Sequence, residues 1–169
     1  MIRHLYLKQK VFALAEDFTF FDEAQNPVFR ARGNFFGMPK QYKLYDANNQ
    51  DKNNHIILIR RKFWAFMPTF FIINPQNNQT LFTVRQRFRF GRPIFDISTP
   101  HGNYLIDGNL IAHEFRILDP NGQQIIEIRK RFIAWGDTYD VAVDTAQIPV
   151  HVAASIILTI DCALHSTNR

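Results

Sequence analysis

The chain has 169 residues, long enough for one domain with a real core. Phe supplies 17 of its side chains, and Phe with the β-branched residues favours pleated, half-buried surfaces. Lys and Arg outnumber Asp and Glu by 20 to 15, and this basic balance favours encounters with polyanions (nucleic acid, anionic lipid or acidic protein), with solubility as the bland alternative. A single cysteine, Cys162, excludes an intramolecular disulfide. The N-terminus meets charge too soon to supply the apolar region of a signal peptide, so a cytoplasmic location is expected.

Lys8–Leu14 reads as a first strand, and from there to Val143 one pattern repeats. A short alternating run ends in Asp, Asn or another small polar residue, a turn follows, and a second run carries Arg and aromatic residues. The first runs are Phe18–Asp22, Tyr42–Asp46, Phe70–Asn74, Phe95–Thr99 and Phe115–Asp119, starting roughly 20–28 residues apart. The second runs are Val28–Phe36, Ile57–Trp64, Leu81–Phe90, Tyr104–Leu110 and Ile126–Trp135. The turns between them are rich in Asn, Gly, Pro and Asp, which makes each unit a β-hairpin. Five hairpins, Lys8–Leu14 and a final run Asp137–Val143 give twelve strands. Links such as Gly37–Pro39, Met67–Pro68 and Gly91–Pro93 are short, which predicts an antiparallel meander.

The pattern then changes. Pro149 suits the first turn of a helix, and no Gly or Pro interrupts Val150–Leu164. The predicted helix, about 148–164, is apolar nearly all round, so it belongs inside a covering structure or in a membrane. At about 1.5 Å per residue it spans roughly 25 Å, short of the roughly 20 apolar residues a bilayer span needs. A sheet of twelve strands closes to remove its edges, and a barrel that wide cannot be filled by its own side chains. The prediction is a mainly β fold, a twelve-stranded antiparallel closed barrel around a C-terminal hydrophobic helix, in one domain. His151 and Asp161 on that helix are expected to meet a barrel side chain or lie near an open end.

The segments Leu7–Phe12 (LKQKVF), Asp107–Phe115 (DGNLIAHEF), Arg129–Tyr139 (RKRFIAWGDTY) and Ile160–His165 (IDCALH) span nearly the whole chain. On these motifs the sequence resembles the LURP-one-related family of the tubby C-terminal-like superfamily, in its small bacterial form. The resemblance implies the barrel-and-helix fold strongly. Its wider relatives include tubby proteins, which bind phosphoinositide head groups, and phospholipid scramblases. No lipid-binding residue of theirs can be matched to a position here, and a shared fold does not by itself assign function.

The candidate binding residues therefore come from the strands. Arg85, Arg87 and Arg89 alternate onto one face, with Val84, Phe88 and Phe90 on the other as expected core. The hairpin repeat puts Arg60 and Lys62, and Arg129 and Arg131, on the corresponding outer face. Together these seven form a candidate anion- or lipid-binding surface, since Arg forks grip phosphate oxygens bidentately. The bland reading is a solvated wall with partners such as Glu127. Because the interleaved aromatics turn inward, base stacking and nucleic acid are disfavoured.

Other chemistry is sparse. Asp137, Asp140 and Asp144 fall where scramblases carry a calcium-binding stretch, but their spacing fits no EF-hand loop. The six histidines form no zinc spacing, so no metal and no cofactor is expected. His113 and Glu114, adjacent in an expected strand, should point to opposite faces, with His113 a hydrogen-bonded wall residue. There is no nucleophile elbow, phosphate loop or dinucleotide fingerprint, and Cys162 reads as a small core hydrophobe. The expectation is a non-enzymatic binding module, peripheral to the membrane, that contacts anionic phospholipid head groups. The alternative is a cytoplasmic scaffold for a protein partner or small ligand at a barrel end, and an enzyme ranks third.

Overall fold

A computed structural model describes residues 1–9, 17–34, 40–49, 51, 53–133 and 136–166, with backbone only at 9, 131–133, 136–137 and 165–166. Twelve strands run β1 (Ile2–Gln9), β2 (Asp17–Phe21), β3 (Pro27–Gly33), β4 (Gln41–Asp46), β5 (Ile57–Arg61) and β6 (Thr69–Asn74). They continue as β7 (Gln79–Arg89), β8 (Arg92–Thr99), β9 (Gly102–Asn109), β10 (Glu114–Leu118), β11 (Gln124–Ile133) and β12 (Gly136–Asp144), followed by helix α1 (Val150–Ser166). Each strand pairs antiparallel with the next, and β1 pairs with β12 to close the barrel.

The closing strand differs from the sequence expectation. Lys8–Leu14 was predicted as the first strand, whereas β1 is Ile2–Gln9 and residues 10–14 lie outside those described. The reason is visible in the pairing. Leu5 and Leu7 are fully buried opposite Val141 and Tyr139, an alternation that the flanking Arg3, His4 and Lys8 obscure in one dimension. The remaining predicted runs coincide with β2–β12 apart from their ends, and the Phe35–Phe36, Gly37–Pro39 and Trp135 portions fall outside the described residues.

The inward-facing residues form a continuous core with the helix. Phe20, Leu44, Ile59, Ile72, Val84, Ile97, Ile117, Ile126 and Val141 alternate inward from nine strands. Helix residues from Val152 to Ala163 are buried without a break, which is the outcome the all-round apolar pattern predicts for a helix inside a barrel. Its hydroxyls stay satisfied there by bonding back into the helix. Ser155 Oγ donates to the Val152 carbonyl and Thr159 Oγ1 to the Ser155 carbonyl, each at 2.7 Å. The helix lies closest to β5, β6 and β7, so that sector of the wall has the firmest backing. Among the described residues, no helix is long and apolar enough to cross a membrane.

A meander alternates its connections between the two ends of the barrel. Connections after even-numbered strands hold Asp22, Glu23, Asn48, Asn49, Asp51, Asn77, Asn78, Asp119 and Asn121, all polar. Connections after odd-numbered strands include Lys62–Pro68 and Phe90–Gly91, which are aromatic and basic. The two ends are chemically unlike.

Candidate functional site

Six of the seven candidate cations have described side chains, and they fall into two separate regions. Arg60, Lys62, Arg85, Arg87 and Arg89 sit on or beside β5 and β7, with only β6 between. Arg129 lies on β11, four strands from β7. At roughly 4.8 Å per strand that is about 19 Å along the wall. Arg131 shares β11, and its side chain lies outside the described residues.

Within the first region the groups are unequal. Arg60 points outward beside Phe71 and is half-buried, its Nε buried without a hydrogen-bond partner among the described residues. Lys62 is exposed just past β5, its backbone N–H donating to the Thr69 carbonyl at 2.7 Å. Arg85 is exposed opposite Thr69 and Asp96. Arg87 donates Nη2 to Asp96 Oδ1 at 2.6 Å, and this bond, together with the carboxylate's charge, raises its pKa further. Arg89 stands at the hairpin tip with its guanidinium 5.7 Å from the Phe90 ring centroid.

Lys62 and Arg85 meet in one groove of about 890 Å³. Its floor is the outer wall of β6–β9, including Phe71, Thr83, Asp96 and Leu105, and Trp64, Phe66 and Met67 from the β5–β6 connection form its side. The β5–β6 connection therefore leans over the wall that carries the arginines.

The second region has a different balance. Arg129 Nη2 lies 2.7 Å from Glu127 Oε1, and that hydrogen bond, with the charges of Glu127, Asp140 and Glu114, raises its pKa. Arg116 donates to Asp107 Oδ2 at 2.6 Å on the neighbouring strands. In the shallow groove these residues line, Asp107, Glu114 and Glu127 stand among Arg116 and Arg129, so both of these arginines face carboxylates.

The family model for LURP-one-related proteins matches residues 3–161. The chain belongs to the LURP-one-related family. It is 25% identical over 163 residues to the uncharacterized protein YxjI of Bacillus subtilis (strain 168), covering 96% of this chain and 94% of that one. Its fold is similar to the X-ray structure of a protein from Arabidopsis thaliana, with a TM-score of 0.64 at 14% identity over 99% of this chain and 92% of the other. The barrel around a central helix is the tubby-like architecture that the sequence motifs implied.

Two expectations for this LURP-one-related chain need correction. Phe88 and Phe90 were assigned to the barrel interior with Val84. Val84 is buried, but the next inward residue is Gln86, 1% exposed, and β7 then runs beyond the core, leaving Phe88 and Phe90 exposed. His113 was expected in a strand wall. It occupies the β9–β10 turn with φ of 54°, half-buried and 4.5 Å from the Tyr139 ring, so strand alternation does not govern it. The turn forms there because Gly108 lets β9 and β10 approach closely. A Cβ at Gly108 would stand 2.5 Å from the Glu114 carbonyl oxygen.

Two of the three aspartates before the helix, Asp140 and Asp144, make contacts that serve the fold. Asp140 is buried on the outer wall against His4, with 2.9 Å between Oδ1 and Nδ1. Asp144 accepts the Ala146 backbone N–H, which lowers its pKa. Asp137 has no described side chain. His151 sits half-buried in the first helical turn, where burial pushes its imidazole below the ordinary value, and Asp161 is buried near the far end of the helix.

Strand alternation missed the exposed aromatics. Phe63, Trp64, Phe66, Phe88 and Phe90 all lie in or beside connections after odd-numbered strands. Two signals for them were present. K-F-W-A-F-M-P breaks the alternation of Ile57–Arg61, and the R-F-G-R sequence sets Phe90 immediately before a turn glycine.

Proposed function

We propose that this chain is a non-enzymatic binding module that contacts anionic phospholipid head groups through the β5–β8 sector of its barrel, as a peripheral protein at the cytoplasmic membrane face. The observation that carries this reading is the charge of that sector. Residues 60–69 and 85–92 hold Arg60, Arg61, Lys62, Arg85, Arg87, Arg89 and Arg92 and no Asp or Glu. Asp96 on β8 engages one of them, Arg87. Arg61 alternates with the inward Ile57 and Ile59, and the other cations, with so little compensation, attract a phosphate-bearing surface and gain by its neutralisation. Arg129 and Arg131 are left out, because Arg129 belongs to the carboxylate-rich patch four strands away.

Co-sedimentation with vesicles at low salt tests the reading. The protein is expected to partition onto phosphatidylglycerol-containing vesicles and not onto neutral phosphatidylcholine vesicles. Added salt should release it, because exposed charges are screened within about 10 Å at 0.1 M. Equal partitioning onto both vesicles would sink the proposal.

The groove beside the β5–β6 connection supports a second reading, a scaffold that takes a protein partner or small ligand, here along the outer wall of β6–β9. Its mixed floor, with Thr69, Thr83, Ser98 and Asn103 among Phe71 and Leu105, suits such an occupant. Salt-insensitive capture of a soluble peptide with no vesicle binding would favour that alternative.

A further inference from the structure

We infer that the tips of the β5–β6 and β7–β8 hairpins insert into the interfacial layer of an anionic bilayer, with Phe63, Trp64, Phe66, Phe88 and Phe90 as the inserting side chains. The inference rests on the head-group reading above and adds the apolar half of the contact. Both tips follow odd-numbered strands of a meander, so topology brings them side by side at one end of the barrel.

Exposure sets these rings apart. Trp64 is 89% exposed, Phe66 98% and Phe90 93%, and Phe63 and Phe88 are about half exposed. Each is a large apolar side chain that the fold leaves in water although a core of the same residue type lies one strand-length away. Phe63 and Trp64 stand ring to ring, 5.4 Å between centroids, and exposed apolar surface gathered at one end of a fold marks a contact site.

The backbone at the tips reinforces this. Trp64 and Phe90 have φ of 56° and 51°, in the left-handed region that bulky residues rarely occupy. Phe90 and Gly91 are the two central residues of a hairpin in which both φ angles are positive, the pattern of a type I′ turn, where Asn-Gly is the favoured pair. This chain uses Asn at that conformation elsewhere. Asn78, in the β6–β7 connection at the opposite end, has φ of 58°. Phe at position 90 runs against local preference and against solvation together, so its gain lies in something outside the fold.

Charge identifies the occupant as a bilayer. The tips carry only cations, Arg61, Lys62, Arg89 and Arg92 immediately flanking the rings. Complementary potential calls for an anionic occupant, and it is the aromatic rings beside the cations that direct the choice to a bilayer. An anionic bilayer is met by aromatic side chains at the head-group level, with Lys and Arg reaching back to the phosphates.

The test uses the intact protein and the natural reporter Trp64. On phosphatidylglycerol vesicles its emission should move to shorter wavelength and be quenched by brominated acyl chains. The change should vanish in Trp64→Phe and persist in Trp135→Phe, which leaves Trp64 as the one tryptophan reporter. Phe66→Ser and Phe90→Asn should each reduce vesicle partitioning about tenfold, the worth of withdrawing one buried ring. Both positions are exposed, so the variants retain the fold. Binding to anionic vesicles with no change at Trp64 would overturn insertion and leave head-group contact standing. No binding to anionic vesicles would overturn both. A concentration-dependent dimer that Phe66→Ser and Phe90→Asn abolish, with vesicle binding unaltered, would assign the rings to a second copy of the chain and overturn the inference.

Discussion

His4 Nδ1 lies 2.9 Å from Asp140 Oδ1, a hydrogen bond across the seam where the first strand meets the last. Asp140 is 5% exposed although it faces outward, because the neighbouring side chains cover it. His4→Ala withdraws one partner from a buried carboxylate, so a loss of about 1–3 kcal/mol is expected. His4→Asn, which returns a donor near the Nδ1 position, should recover most of that loss. Urea unfolding of the two variants checks the pair. A neutral His4→Ala would mean that strand pairing alone holds the seam.

The helix is the filling of the barrel. Ile157 is 4% exposed within an unbroken buried run. Ile157→Asp puts a charge where there is no water, so it should prevent folding and leave little soluble protein. Ile157→Val removes one methyl group and should cost about 0.5–1.5 kcal/mol. A soluble, folded Ile157→Asp protein that had lost only membrane attachment would show that the helix is an anchor.

Phe90 links stability to contact in opposite directions. Asn adopts the positive φ of this turn more readily than Phe, so Phe90→Asn is expected to stabilise the free protein, by ~1 kcal/mol. Thermal unfolding reads this directly. A protein whose stability rises while its vesicle binding falls carries an aromatic tip kept for contact.

His151 gives stability a pH dependence. Burial lowers its folded pKa below the ordinary 6.5, so the unfolded chain binds the proton more tightly. Stability is fully present above about pH 6.5 and falls as pH drops from there toward the folded value. Unfolding midpoints at pH 7.5 and 5.5 should fall further for the wild type than for His151→Gln. Equal slopes would mean that the imidazole titrates alike in both states.

The fold was legible because its two signals are periodic. Alternation in runs such as Tyr42–Asp46 and Phe115–Asp119, cut by Asn and Pro turns, set the hairpins, and the loss of alternation after Pro149 set the helix. Strand Ile2–Gln9 was misplaced because Arg3, at its exposed end, and the outward His4 and Lys8 mask two inward leucines, and its partner β12 is far away in sequence. The candidate site was half legible. Alternation put Arg85, Arg87 and Arg89 on one face, but it cannot tell where a strand outruns the core. Alternation alone therefore places Phe88 and Phe90 inside, whereas the fold leaves them exposed. Nor can one dimension show that Arg129 stands four strands from Arg85 and beside Glu127.

Paired charge reversals most directly test the claim that one sector of the barrel meets anionic lipid. Arg85→Glu with Arg89→Glu changes the net charge by the same amount as Arg116→Glu with Arg129→Glu, on separate regions of the wall. The first pair should lower partitioning onto phosphatidylglycerol vesicles by roughly a hundredfold or more, at about tenfold or less per charge near the surface. The second pair should lower it only a few-fold. Equal losses from the two pairs would contradict the account, since binding would then follow net charge and no face of the barrel would be the lipid face.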